Sequence, residues 1–185
     1  MGERKVYLLL TDTGTLFTRM IKLYTKKPYN HASIAFDQNL KEVYSFGRKD
    51  PRNPFIGGFV KESVDEGLFK NARCRIYSFT VTDSQLQIMK DFVKNIESQK
   101  HLYRYNFIGL FAFILKKQLK REHAYFCSEF VATTLNKGGV VQFNKPLSLI
   151  SPHDLQQIEH FQLEYQGDLV HHIRSVDYSF NAISI

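Results

Sequence analysis

Apolar and polar positions along the chain alternate between the two-residue period of strands and the three-to-four-residue period of helices. The run "VYLLL" (6–10) predicts a buried strand, closed by the polar "TDTGT". From Thr15 to Lys26, Phe17, Met20, Ile21 and Tyr24 recur at helical spacing, with Asp12 or Thr13 as the cap. "KPYN" ends that helix, and "HASIAFD" (31–37) alternates as a strand with His31, Ser33, Ala35 and Asp37 on one face. After the turn "QNLK", "EVYSFGR" (42–48) predicts the second strand of a hairpin. Residues 49–73 mix Pro, Gly and charge and read as a long excursion holding one short strand, "GGFVKE", with the character of a lid or binding element. "CRIYSFTV" (74–81) returns as a strand.

Helical patterning dominates from Thr82 onward. Thr82 and Gln85 stand in capping-box spacing ahead of a stripe of Leu86, Met89, Phe92, Val93 and Ile96. A third helix is expected over 105–119, apolar nearly all round at its start. A fourth runs from Cys127 to about Lys137 and stops at Gly138-Gly139. Ser151 and Pro152 open a fifth. The tail is expected to return as strands, "QLEYQ" and "VHHIRSVDYS". Strands early and helices late predict an α+β domain, and no repeat or linker divides residues 1–185.

Composition narrows the function classes. A chain of 185 residues, 43% hydrophobic and 23% charged, can bury a core without staples. Two cysteines are too few for a disulfide framework and fit a reducing compartment. The N-terminal apolar run is too short for a secretory leader, and "FIGLFAFIL" (107–115) is too short to span a bilayer. A cytoplasmic protein is expected. The net charge of +7 is scattered apart from "TKK" and "KKQLKREH", and no zinc-ligand or nucleic-acid recognition pattern accompanies it. Nucleic acid is therefore not an expected partner, and no metal or other cofactor is expected.

The candidate chemistry centres on Cys127. At the first turn of a helix, free N–H groups and the helix dipole favour a thiolate and can hold an oxyanion. A nucleophilic cysteine also needs a histidine within reach, itself held by a third group. His31, at a strand start beside polar Ser33, is the candidate base. Without such a partner, Cys127 reads equally as a small core residue on the stripe of Phe130, Val131 and Leu135.

"PYNHASIAFD", "EVYSFGR", "RYNFIGL", "YFCSEFVA" and "SPHDL", in that order, resemble the permuted papain-like cysteine hydrolases. These are the YiiX-like branch of the NlpC-type cell-wall peptidase superfamily, related to lecithin–retinol acyltransferase. The resemblance covers about Asp12 to Leu155. It implies a circularly permuted papain-like fold, with an antiparallel sheet packed against helices. It further implies Cys127 as nucleophile and His31 as general base and acid. The family's third polar residue, typically Glu or His on the next strand, falls at Ser45 here, with Glu42, Asp37 or a bridging water as alternatives for the missing charge. Tyr105 and Tyr125 are candidates to line the substrate site, with aromatic packing as the alternative. Glu129 is expected to serve as a cap or in a salt bridge, and His123 to be solvated.

The resulting expectation is a cysteine amidase, peptidase or acyltransferase-like enzyme working through a thioester, on a cell-wall-type peptide or a lipid. Peripheral contact with a membrane surface stays open. The competing expectation is a non-catalytic binding module on the same fold, with Ser45 as the mark of a degraded triad.

Overall fold

The computed structural model describes residues 2–13, 22, 26–50, 53–106 and 121–183. The helices expected over 15–26 and 105–119 fall almost wholly outside these residues.

Six strands form one antiparallel sheet: β1 (Glu3–Asp12), β2 (His31–Ala35), β3 (Val43–Asp50), β4 (Asn53–Glu62), β5 (Arg73–Thr82) and β8 (Gln162–Asp168). Their spatial order is β4-β3-β2-β1-β5-β8. The described helices are α1 (Asp83–Ser98), α2 (Cys127–Lys137), α3 (Pro152–Gln156) and α4 (Leu169–Ile183). A short parallel ladder joins β6 (Arg104–Tyr105) to β7 (Ala124–Tyr125). The molecule is thus mixed α and β around an antiparallel sheet, as the pattern predicts.

β1 lies central and is buried on both faces, which explains its unbroken apolar run. Val6, Leu8 and Leu10 join Ala32, Ile34, Phe46 and the inner faces of α1 and α2 in the larger core. Tyr7 and Leu9 join Ala35, Val43, Val64, Phe69, Cys74 and Leu169 in a second core on the opposite face. Phe46 anchors an aromatic cluster, its ring centroid 5.2 Å from both Tyr125 and Phe130.

Local signals act where the sequence places them. Thr82 accepts from the Gln85 backbone N–H while the Gln85 side chain caps Thr82 in return, and Met89, Val93 and Ile96 of α1 are buried. Ser151 and Asp154 form the same reciprocal box at α3. At the end of α2, Gly139 adopts φ +65°, a conformation glycine reaches without a Cβ clash.

Two segments differ from expectation. Most of 49–73 is not an excursion: β4 runs for ten residues and pairs with β3 from Val43↔Glu62 to Asp50↔Asn53. The sequence joining the two strands begins Asp50-Pro51, a pair that a tight connection favours. The tail after β8 is helical, not a strand. Leu169 and Ile173, four apart, both pack into the second core, a spacing that suits a helix face and not a pleat.

Candidate active site

α2 begins at Cys127 with Phe126 as its N-cap, a side chain that cannot accept a hydrogen bond. The N–H groups of the first turn are therefore not quenched by the cap side chain that usually takes them. Apolar residues Phe130, Val131, Ala132 and Leu135 press α2 onto the sheet in the larger core. The Ser128 hydroxyl donates to the Ile150 carbonyl at 2.7 Å and ties down the helix start. Cys127 is 5% exposed, and its Sγ lies 4.0 Å from the carbonyl oxygen of Asn30, the residue before His31.

His31 opens β2 directly after Asn30, and the Cys127 thiol lies close enough to the imidazole to raise its pKa. Its Nε2 lies 2.7 Å from Oε1 of Glu62. The side chains of His31 and Glu62 are 15% and 6% exposed, and the Phe69 ring packs 6.2 Å from the imidazole. Glu62 is held from two further directions. Ser45 Oγ donates to Oε1 at 2.5 Å, and Ser33 Oγ donates to Oε2 at 2.6 Å. Both serines are fully buried. Strand register makes this possible: Glu62 sits opposite Val43 and Ser45 opposite Val60 in the β3–β4 pairing, so both project from one face.

Electrostatics follow from this geometry. Burial opposes ionisation of Glu62, but His31 beside it and the two serine hydroxyls hold its pKa below the ordinary value. An ionised carboxylate only accepts, so Nε2 carries the proton in this hydrogen bond. Burial likewise opposes protonation of His31. The Glu62 charge and hydrogen bond, together with the neighbouring Cys127, outweigh that and raise its pKa to about 10.

The start of α2 and the start of β2 thus meet, the Cys127 sulfur lying against the carbonyl oxygen of the residue before His31. Ser45 is not the group that orients His31; it holds the carboxylate that does. Glu42 instead pairs with Lys90 at 2.8 Å, and Asp37 accepts from the backbone N–H groups of Lys41 and Glu42. Glu62 ends the short strand "GGFVKE" that the sequence predicts, but nothing in the sequence pairs that strand with β3 and so brings Glu62 to His31. The alternation of "GGFVKE" is the signal that places it on a strand.

Tyr105 and Tyr125 are partly buried and pack against the larger core. Tyr105 lies so close to β4 that a Cβ on Gly57 would come within 2.7 Å of the Tyr105 Cβ. Both tyrosines contribute to packing. Glu129, the third residue of α2, accepts from the Phe126 backbone N–H, which makes it the cap expected of it. Its Oε2 is buried without a partner, and burial outweighs that hydrogen bond to raise its pKa to about 7. His123 is exposed at φ +53°, edge-on to Tyr103.

The second thiol, Cys74, is fully buried in the second core, and burial pushes its pKa up to about 12. Among the described residues no three His, Cys, Asp or Glu side chains are grouped to hold a metal ion, and no helix is long and apolar enough to cross a membrane.

Comparison of the chain with protein-family models, with curated proteins and with solved structures finds no match.

Proposed function

We propose that this protein is a cysteine hydrolase or acyl-transferring enzyme that cleaves an amide or ester through a thioester on Cys127. The observation that carries the reading is His31 held at 2.7 Å by the buried Glu62 carboxylate, with the carbonyl oxygen of the preceding residue, Asn30, 4.0 Å from the Cys127 sulfur. A histidine between a thiol and a hydroxyl-held carboxylate is the arrangement that activates a nucleophile.

The reacting form pairs a His31 imidazolium with a Cys127 thiolate. The sulfur attacks the substrate carbonyl, and the free N–H groups at the start of α2 receive the oxyanion. As the tetrahedral intermediate collapses, the C–N or C–O bond breaks and His31 gives its proton to the departing amine or alcohol. Neutral His31 then takes a proton from water or another acceptor, which attacks the thioester carbonyl. Release of the acyl product leaves thiolate and imidazolium restored. Throughout, Glu62 holds the ring in one tautomer and offsets its positive charge.

The order of a histidine on a strand, then a cysteine opening a helix packed on an antiparallel sheet, supports a permuted papain-like fold. Peptide-like and lipid acyl donors both suit the chemistry. The binding-module alternative rested on a missing carboxylate at the third position, and Glu62 supplies that group.

Mass mapping after exposure to an activated acyl ester tests the proposal. An acyl adduct labile to hydroxylamine is expected on Cys127, and none in Cys127→Ala. Absence of any adduct, with Cys127 and Cys74 alkylated equally slowly, would overturn it.

A further inference from the structure

Arg75 is a partly buried cation held in one orientation with no anion to meet among the described residues. Its Nε donates to Oε1 of Gln166 at 2.6 Å, and its guanidinium carbon lies 5.4 Å from the centroid of the Tyr29 ring. The hydrogen bond and the ring together restrain the fork. Among the described residues no carboxylate pairs with it. An arginine used only for structure ordinarily meets a carboxylate or backbone carbonyls with its remaining donors.

Its position relates it to the nucleophile. Leu10 of β1 is paired on one side with Ala32 and on the other with Arg75. Opposed residues share a face, so Arg75 projects from the face on which Leu10 and Ala32 meet α2. Two strand spacings, roughly 10 Å, separate the Arg75 and Ala32 backbones. Tyr29, on which the guanidinium rests, immediately precedes Asn30, whose carbonyl lies against Cys127. The cation thus stands at the end of the sheet where α2 begins and on the face that α2 covers, while His31, two positions from Ser33, projects from the other face.

We infer that Arg75 is a specificity-determining residue that binds an anionic group, a carboxylate or a phosphate, on the acyl substrate. The inference rests on the catalytic reading of Cys127. Pre-restrained, the fork loses little freedom on binding and favours a planar or tetrahedral oxyanion presented edge-on. A carboxylate could come from a peptide and a phosphate from a lipid headgroup. The scattered positive charge of the chain favours the approach of either.

The test compares two alkylating agents that differ by one charge: the α-amides of N-chloroacetyl-glutamate and N-chloroacetyl-glutamine. In Arg75→Gln the rate of Cys127 modification by the anionic reagent is expected to fall about tenfold, with the neutral reagent unaffected. The neutral reagent also reports that the variant is folded. Arg75→Lys is expected to recover only part of the loss, because an ammonium lacks the fork. Equal rates for both reagents in wild type and Arg75→Gln, or an equal fall for both, would overturn the inference and leave the catalytic reading standing. If wild-type Cys127 reacts with neither faster than Cys74 does, the catalytic reading fails and this inference with it. To identify the source, phosphatidylglycerol vesicles and glutarate are compared as protectants of Cys127 against iodoacetamide. Arg75-dependent protection by vesicles alone assigns a lipid phosphate, and by glutarate alone a carboxylate. Protection by either that persists in Arg75→Gln counts against the inference.

Discussion

Nε2 of His31 lies 2.7 Å from Oε1 of Glu62, across 31 positions of sequence and two strand-to-strand pairings. The carboxylate reaches the imidazole from β4, an edge strand of the sheet, and not from the strand adjacent to His31. Its charge favours the protonated ring.

Replacing Glu62 by Gln preserves the shape and removes the charge. Turnover is expected to fall by at least about 10²-fold. In wild type, reactivity that depends on the imidazolium should persist until pH approaches about 10. In Glu62→Gln that loss should move down towards the ordinary histidine value near 6.5. The pH profile of Cys127 alkylation measures this directly; an unmoved profile would remove Glu62 from the site.

Ser33 and Ser45 hold Glu62 and do not touch the reacting atoms. Ser45→Ala or Ser33→Ala should each lower turnover by only about 3- to 10-fold. With fewer donors the carboxylate protonates more readily, so the acidic limb of the pH profile should shift upward. If Ser45→Ala costs as much as Glu62→Gln, Ser45 orients His31 by itself and the role given to Glu62 is wrong.

Glu129 gives a stability prediction of opposite sign to Glu62. Its folded pKa, about 7, lies above the ordinary carboxylate value. The folded state therefore holds this proton more tightly than the unfolded chain. That contribution is fully present below the unfolded pKa and is lost as pH rises through about 7. Glu129→Gln can still accept from the Phe126 N–H but never ionises. Urea unfolding should show the variant more stable than wild type by roughly 1–3 kcal/mol at pH 8, with the difference largely gone near pH 4.5. A difference independent of pH would show that Glu129 is not the titrating group.

The close approach of Tyr105 to Gly57 leaves no room for a side chain. A Cβ there would also lie 2.9 Å from the Gly47 carbonyl oxygen, a backbone atom that cannot swing aside. Gly57→Ala is expected to cost about 1–3 kcal/mol of stability in denaturant unfolding. An unchanged midpoint would contradict this packing of β6 on β4.

What could be read from the sequence was local. The capping boxes at Thr82 and Ser151, the glycine stop after α2 and the start of that helix at Cys127 each depend on residues within four positions of one another. Hydrogen bonds of that kind form within one turn, whatever the rest of the chain does. The hairpin of β2 and β3 was legible for a similar reason, since its turn and its alternation adjoin. The tail misled because "VHHIRSVDYS" carries β-branched residues, while burial of Leu169 and Ile173 in the second core decided for helix.

Residue order alone marked the groups able to do chemistry: a cysteine at a helix start and a histidine at a strand start. The carboxylate beside that histidine is visible only in three dimensions. Ser45 adjoins His31 in the sheet, yet the orienting carboxylate comes one strand further out. Pairing β4 to β3 with Glu62 opposite Val43 turns that side chain onto the face shared by Ser45, Ser33 and His31. A shift of one residue in that register would have turned Glu62 to the other face. Register is set by hydrogen bonds between strands and by burial of whole faces, neither of which is written at any single position of the chain.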